Sequence, residues 1–287
     1  MTTRTEQSDR GKRLAASLPS RYAFREYIGK GGAAYVVLAD DLERQHPVAV
    51  KILRPEIATV VGETRFRREI EILSHLTHPN ILPLLDYGSV NAGILYFTMP
   101  FVQGITLHTR LEREGQLSLR DAIGIAEDVA SALDYAHSRG IIHRDVKPAN
   151  ILLSDGRVIV ADFGIARAMA VDLGEQLTAS GVSLGTPAYM APEQVEAMRE
   201  LDARCDVYAL GCVTYEMLAG EPPFTGPTEL AIFTRHLNEA PRSIRQVRPE
   251  IPAGVDAAIL KSLQKSRAAR FYTAGTFARA LVAGSAA

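Results

Sequence analysis

Two short apolar runs flanking an Asp-Gly pair constrain this chain more than any other feature. Ile151 to Leu153 and Val158 to Ala161 read as strands, and Asp155-Gly156 between them is a strong signal for a two-residue turn. A hairpin of this kind returns the chain to its starting point. It therefore brings Asn150, just before the first strand, close to Asp162, just after the second.

The side chains at the open end of this hairpin predict a metal site. A carboxylate and an amide oxygen side by side form a hard oxygen site, which suits a Mg²⁺ that also keeps phosphate ligands. Asn150 and Asp162 would supply these two oxygens. Asp145 lies upstream on the same loop, where we expect it to meet the group that reacts with the metal-bound ligand.

The same stretch resembles the catalytic core of eukaryotic-like (Hanks-type) serine/threonine protein kinases of bacteria. His143-Arg144-Asp145 with Lys147 and Asn150 is similar to the catalytic loop of that family, and Asp162-Phe163-Gly164 is similar to its metal-binding triplet. The resemblance implies an α+β, two-lobed protein kinase fold. Its N-lobe would be small and mainly antiparallel β with one key helix, and its C-lobe larger and mainly helical.

The resemblance covers roughly residues 21–285 and divides the chain into three parts. These are a flexible leader at 1–20, an N-lobe with the hinge at 21–102, and a C-lobe at 103–287 that contains the activation segment 162–193.

Composition narrows the function classes further. With 287 residues and 47% hydrophobic content, the chain is near the size at which a single core splits into two. A net charge of −1 gives no indication of nucleic acid or a charged membrane surface. The sequence carries no run of about 18 apolar residues and no signal peptide, so we expect a cytoplasmic protein. The alternative is the cytosolic domain of a longer membrane-anchored kinase, because many bacterial relatives continue into a membrane span.

A glycine-rich stretch from Gly29 fits the pattern G-x-G-x-x-G-x-V, with Ala34 in place of the third glycine. In dinucleotide-binding folds such glycines open a helix. Here a β-type run from Tyr35 to Ala39 follows, so a strand–loop–strand is expected. The resemblance implies a flap whose backbone N–H groups at Gly29, Gly31 and Gly32 approach the ATP phosphates.

Two further N-lobe residues match the family's phosphate-positioning pair. Lys51 ends the apolar strand Val48 to Lys51, where an unpaired ammonium would be costly. Glu69 lies on a predicted helix from Glu63 to Leu76 and corresponds to the family's helix glutamate. In active kinases this pair directs the lysine to the α- and β-phosphates, and a swing of the helix breaks it.

The adenine pocket is implied by resemblance alone. Val102 would donate the adenine hydrogen bond, because Pro100 in the same hinge has no N–H. The residues expected around the nucleotide are Ile28, Gly29, Gly31, Gly32, Val36, Ala49, Lys51, Met99, Pro100, Val102 and Leu152.

The polar stretch from Ile165 to Met190 corresponds to the activation loop of the family. Thr178 and Ser180 fall where bacterial relatives are phosphorylated, and the phosphate would pair with Arg144. Thr186 resembles the threonine that contacts the catalytic Asp and Lys.

Three residues are expected to support the site. Glu193, in the anchor triplet Ala191-Pro192-Glu193, would pair with Arg270, although Arg267 replaces the proline usual in that downstream pattern. Asp206, inside a strongly apolar helix, would hold the backbone of the catalytic loop.

These features together predict an ATP-dependent serine/threonine protein kinase. Asp145 would orient the acceptor hydroxyl and take its proton, Lys147 would neutralise charge on the transferred phosphoryl group, and Asn150 and Asp162 would hold Mg²⁺, with Mn²⁺ as a substitute. The expected partners are protein substrates and the kinase itself in trans, with a homodimer as one arrangement. The alternatives are a catalytically weak kinase-fold scaffold, a small-molecule phosphotransferase and, least favoured, a dinucleotide enzyme.

Overall fold

A computed structural model of the chain describes residues 17–90, 93–163, 187–198 and 200–286. These form two compact units. The described part of the first consists of residues 17–77 with 82–90 and 93–103. The described part of the second consists of residues 78–81, 104–163, 187–198 and 200–286.

The first unit is built on a five-stranded antiparallel sheet in the order β1-β2-β3-β5-β4. Its strands are β1 Tyr22–Lys30, β2 Ala34–Asp41, β3 His46–Leu53, β4 Asp86–Val90 and β5 Ile94–Pro100. β1 and β2 are joined across the glycine loop, where the Gly31 N–H donates to Ala34 O at 2.8 Å. The predicted strand–loop–strand is therefore present, and the dinucleotide-type arrangement, in which a helix would follow the glycines, is excluded.

The described part of this unit also contains the helices α1 Pro55–Val61 and α2 Glu63–Ser74. The sequence predicts α2, but α1 was not expected. Gly62, with φ +72°, separates the two helices and allows the chain to change direction. Phe66 and Ile70 on the inner face of α2 are fully buried, as the i, i+4 spacing predicts.

The predicted leader is too long at its C-terminal end. Leu18 is only 8% exposed and belongs to a core cluster with Tyr22 and strand residues of the sheet. The Tyr22 N–H donates to Pro19 O at 2.9 Å, which closes a turn. An isolated leucine in a polar stretch gives no periodic signal, so its burial could not be read from the sequence.

The second unit is mainly helical. Its helices are α3 Leu107–Glu114, α4 Leu119–His137, α5 Pro192–Val195, α6 Arg204–Ala219, α7 Glu229–Asn238, α8 Ala253–Ser262 and α9 Ala274–Ser285. α4 begins at Ser118, whose hydroxyl accepts the Asp121 N–H at 3.1 Å. α6 is buried along nearly its whole length and ends at Gly220, which has the left-handed conformation with φ +86°.

The predicted hairpin is present in this unit. β7 Ile151–Ser154 pairs antiparallel with β8 Arg157–Val160, and a two-residue strand, β6 Ile105–Thr106, pairs with the other edge of β7. Asp155 and Gly156 both have positive φ, at 49° and 74°, as a type I′ turn requires. The sheet-rich first unit and the mainly helical second unit confirm the predicted α+β class.

No helix in the described part of the chain combines the length and apolar character needed to cross a bilayer.

Candidate active site

The catalytic loop of the second unit brings two polar side chains to the Asp145 carboxylate. The Lys147 ammonium lies 2.8 Å from Asp145 Oδ2, and Asn150 Nδ2 donates to the same oxygen at 3.0 Å. Asn150 Nδ2 also donates to the backbone carbonyl of Asp145 at 2.9 Å. The carboxylate is thus held in one orientation by a cation and an amide.

His143 fixes the backbone on the N-terminal side of Asp145. Its Nδ1 accepts the Asp145 N–H at 3.2 Å, so the ring proton must be on Nε2, which donates to Ala161 O at 3.1 Å. The imidazole is fully buried, and its centroid lies 4.5 Å from that of the Phe163 ring. His143 therefore joins the catalytic loop to the backbone immediately before Asp162.

Asp206 on α6 holds the backbone of the catalytic loop, as predicted. Its two carboxylate oxygens accept the backbone N–H groups of His143 and Arg144, both at 2.8 Å, and Oδ2 lies 2.7 Å from His137 Nε2. Burial alone would raise the pKa of Asp206. The hydrogen bond and charge of His137 and the bond from the His143 backbone outweigh it and hold this pKa below its ordinary value.

The two predicted metal ligands occupy adjacent ends of the hairpin. The Ala161 N–H donates to Asn150 O at 2.8 Å, which continues the ladder beyond the Ile151–Val160 pair. Asp162 follows directly, with a left-handed φ of 61° that is uncommon for a residue other than glycine.

The orientation of the Asn150 amide favours metal binding. Both partners of its nitrogen are acceptors on Asp145, so Oδ1 must point away from that residue. In the described chain no group of three or more His, Cys, Asp and Glu side chains is arranged to hold a metal. That Asn150 and Asp162 together bind a metal ion remains a prediction.

The predicted anchor pair is present in the second unit. Arg270 makes a bidentate ion pair with Glu193, with both N–O distances at 2.7 Å, and both side chains are buried. Three backbone carbonyls, those of Arg204, Gln264 and Lys265, accept the remaining guanidinium hydrogens. The Arg267 that replaces the family's proline does not disturb the pair.

Neither steric contact nor backbone conformation requires glycine at Gly29 or Gly31 of the glycine loop. A Cβ added at Gly29 would meet no atom within 4 Å, and one at Gly31 would meet only Ala34 O at 3.7 Å, an ordinary contact. Neither residue has a positive φ. The expected approach of these glycines to the ATP phosphates remains a prediction.

Lys51 and Glu69 are both half-buried in the first unit, but the pair expected of an active kinase is not formed. Among the residues described, Glu69 has no ion-pair partner within 4.0 Å. The Lys51 ammonium lies 5.9 Å from the ring centroid of Phe97. Whether the two pair in another conformation remains a prediction.

The residues predicted to contact adenine are divided between the two units. Ala49 and Met99 are buried in the core of the first unit, and Val36 packs against them. Pro100 ends β5, Val102 follows it half-buried, and Ile28 on β1 is 46% exposed; Leu152 on β7 is half-buried in the second unit. Their role in binding adenine remains a prediction.

The predicted phosphorylation sites Thr178 and Ser180 lie outside the described residues, as does Thr186. Arg144, the expected phosphate partner, adopts a left-handed conformation with φ +65°.

Several supporting residues were missed by sequence reasoning. The Tyr189 hydroxyl donates to Glu216 Oε2 at 2.7 Å, and burial raises the pKa of both groups. Asn80 donates to Val158 O at 2.9 Å and supports β8. Gln194 bonds to the catalytic loop at Arg144 O. The sequence offers one signal for such contacts. It is an uncharged polar residue that lies in an otherwise apolar segment or next to the Glu193 anchor.

Comparison with known proteins agrees with this geometry. The model of the protein kinase domain family matches residues 22–272. Serine/threonine-protein kinase PknB of Mycolicibacterium smegmatis is 42% identical over 262 residues, covering 90% of this chain and 42% of that protein. PknB of Mycobacterium tuberculosis is 42% identical over 270 residues, covering 92% of this chain and 43% of that protein. The chain thus spans less than half the length of these relatives.

Solved structures give the same result. The crystal structure of the Mycobacterium tuberculosis PknI kinase domain is 30% identical and superposes with a TM-score of 0.73, covering 94% of this chain and 99% of that one.

Proposed function

This chain belongs to the protein kinase family, among the bacterial serine/threonine kinases, and on that premise we propose that it transfers the γ-phosphoryl group of ATP to serine and threonine hydroxyls of proteins. The observation that carries the proposal is the arrangement of Lys147 and Asn150 around the Asp145 carboxylate. Phosphoryl transfer needs little covalent chemistry from a protein, so catalysis depends mainly on orientation and charge.

In this proposal Asp145 orients the acceptor hydroxyl and accepts its proton through the carboxylate. Lys147 and Asn150 hold one oxygen of that carboxylate, which limits the orientations the acceptor hydroxyl can adopt. Once substrate is bound, the Lys147 ammonium would also stabilise negative charge on the transferred group. The ammonium already lies 2.8 Å from Oδ2 of Asp145, the proposed base.

Kinases of this family use ATP with a divalent metal, and the residues present fit Mg²⁺. Asn150 Oδ1 and the Asp162 carboxylate would hold it, and the ion would supply positive charge to the phosphate oxygens. Mn²⁺ has the same preference for oxygen ligands and would substitute. The Gly29, Gly31 and Gly32 backbone with Lys51 would hold the phosphates that are not transferred.

The proposal extends to regulation and partners. Autophosphorylation in trans on Thr178 or Ser180 would place a dianionic group within the reach of Arg144, and Thr186 would then contact the catalytic residues. Protein substrates are the expected acceptors, and a homodimer would bring two copies together for reaction in trans. The cytoplasm, or the cytosolic side of a membrane-anchored protein, supplies the ATP.

The decisive experiment compares wild type with Asp145→Asn. We expect the wild type to transfer phosphate from ATP to protein hydroxyls in the presence of Mg²⁺. The variant should lose at least about 10³-fold in turnover, because the base is removed, while its affinity for Mg·ATP changes little. Mass mapping of the wild-type product identifies the acceptor residues.

The alternative is a kinase-fold scaffold that binds ATP without turnover. A wild type that binds Mg·ATP but leaves protein acceptors unmodified would support the scaffold and overturn the proposed activity. An Asp145→Asn variant with near-normal turnover would contradict the role assigned to this residue.

A further inference from the structure

Gln194 forms a direct link between the anchor of the activation segment and the catalytic loop. Its Nε2 donates to the backbone carbonyl of Arg144 at 2.9 Å, and its Oε1 accepts the Ala191 N–H at 3.0 Å. The residue is half-buried and stands immediately after Glu193, which the ion pair with Arg270 holds in place. The backbone that carries the Gln194 side chain is therefore fixed by the neighbouring ion pair.

The carbonyl that Gln194 binds belongs to the peptide bond leading into Asp145. The N–H of the same peptide donates to His143 Nδ1 at 3.2 Å. Both polar groups of this peptide are thus held by side chains, one from within the loop and one from α5. Rotation of the peptide plane would break both bonds, and it would redirect the backbone from which the Asp145 carboxylate projects.

This peptide needs external support because Arg144 is strained. A non-glycine residue with φ near +65° is strained, so this conformation persists only where its surroundings hold it. The carboxylate of Asp206 accepts the N–H of Arg144 at 2.8 Å, and Gln194 donates to its C=O. Two side chains therefore hold the two polar groups of the same strained residue.

Helix capping accounts for the hydrogen bond of Gln194 Oε1 but not for that of Nε2. At the third position of a helix, a glutamate or glutamine side chain commonly accepts the N–H of the residue that caps the helix, here Ala191. A glutamate would do this equally well, and its charge would suit the helix N-terminus. The need for an N–H donor arises only from the Arg144 carbonyl.

We propose that Gln194 is a positioning residue for phosphoryl transfer, which orients Asp145 by holding the Arg144–Asp145 peptide against the end of the activation segment. This inference rests on the proposed kinase function. In this view the Glu193–Arg270 ion pair also affects catalysis. A shift of Glu193 would move Gln194 Nε2 away from the catalytic loop.

Two substitutions separate the role of the Gln194 amide oxygen from that of its amide nitrogen. Gln194→Met is of similar size and loses both bonds. Gln194→Glu keeps the acceptor for Ala191 but cannot donate to Arg144 while ionised. Gln116→Met is the matched control, since Gln116 Nε2 also donates to a backbone carbonyl, that of Ala219 at 3.0 Å, away from the catalytic loop.

The experiment measures kcat and the KM for Mg·ATP with a protein acceptor. Each variant is first incubated with Mg·ATP until intact mass shows the same phosphate content as wild type, so that differences in autophosphorylation do not contribute. We expect Gln194→Met to lower kcat by about 10- to 100-fold with KM for Mg·ATP within about twofold. Gln116→Met should leave both constants unchanged.

Gln194→Glu supplies a readout that separates the loop contact from helix capping. The glutamate keeps the acceptor for Ala191, but its carboxylate, with an ordinary pKa of about 4.3, is ionised at assay pH and cannot donate to the Arg144 carbonyl. We therefore expect Gln194→Glu to lower kcat at least as far as Gln194→Met, whereas a residue that only capped the helix would be replaced by glutamate without loss.

The outcomes distinguish this inference from the proposed function. An active wild type whose kcat is unaffected by Gln194→Met or by Gln194→Glu would overturn the inference and leave the kinase function intact. A wild type without phosphoryl transfer to protein would overturn both.

Discussion

The catalytic loop of the second unit and the helix that carries Glu69 in the first differ in how their polar groups are held. In the loop, the backbone N–H groups of His143, Arg144 and Asp145 all donate to side chains. On α2, Glu69 has no ion-pair partner within 4.0 Å in the described part of the chain.

Besides the packing of Phe66 and Ile70 in the core, polar contacts in its first turns hold α2. Glu63 Oε1 accepts from the Ser89 hydroxyl at 2.6 Å and from Arg67 Nε at 2.8 Å, which ties the helix to β4. These side chains are about half exposed or exposed, so the tie is weak. In the second unit, side chains already hold the backbone of the catalytic loop, whereas in the first unit the Glu69–Lys51 pair would form only if one or both side chains moved.

The largest effect is expected where the preformed loop loses its support. Asn at position 206 has one acceptor oxygen, so in Asp206→Asn the amide NH₂ would face the N–H of His143 or Arg144. We expect the free energy of unfolding in urea to fall by about 3 kcal/mol, because hydrogen bonds to a charged group are lost and a buried donor is left unsatisfied. Turnover should fall more than 100-fold.

The control for this variant is Asp256→Asn. Asp256 also accepts a backbone N–H, that of Ile244 at 2.8 Å, but its second partner is the Ser243 hydroxyl, which can rotate to accept from the new amide. A smaller loss of stability and normal turnover are expected. Comparable loss of turnover in both variants would mean that global destabilisation, and not the loop, explains the Asp206 result.

Lowering the pH should reduce the free energy of unfolding of the wild type more than that of Asp206→Asn. The pKa of Asp206 is lower in the folded state than the unfolded value of about 3.9, so its contribution to stability is complete above that pH. The contribution is lost as the pH falls below about 3.9 toward the folded-state pKa. Urea unfolding between pH 6 and pH 3 should therefore show a stability difference that narrows at the acid end; a constant difference would contradict the lowered pKa.

The smallest effect on stability is expected for Glu69→Gln. Because Glu69 is half-buried and unpaired among the described residues, the free energy of unfolding should change by less than about 0.5 kcal/mol. The kcat/KM for ATP should nevertheless fall, by about tenfold or more, if the active conformation pairs Glu69 with Lys51. A loss of stability near 2 kcal/mol would show that Glu69 already has a partner in solution, which would remove the contrast between the two regions.

Local sequence signals predicted the parts of the site that depend on a few consecutive residues. The hairpin follows from Asp155-Gly156 between two apolar runs, and the capped start of α4 follows from Ser118. The same signals did not predict α1, whose seven residues are too few for a periodic pattern, or the burial of Leu18.

Resemblance to a family extended the prediction to distant pairs. It led to the contacts of Asp206 with the catalytic loop and of Glu193 with Arg270, which are 77 positions apart in the second case. It did not lead to Gln194, because a glutamine after the anchor reads as an ordinary helix-capping residue.

The sequence by itself determined which side chains can act as base, cation and metal ligand, because those properties belong to the residue type and the hairpin that gathers them is local. Only the tertiary structure decided which donors hold the peptide before Asp145, and that Glu69 stands apart from Lys51. Both depend on how separate helices pack, and packing is set by contacts between residues that have no fixed spacing along the chain.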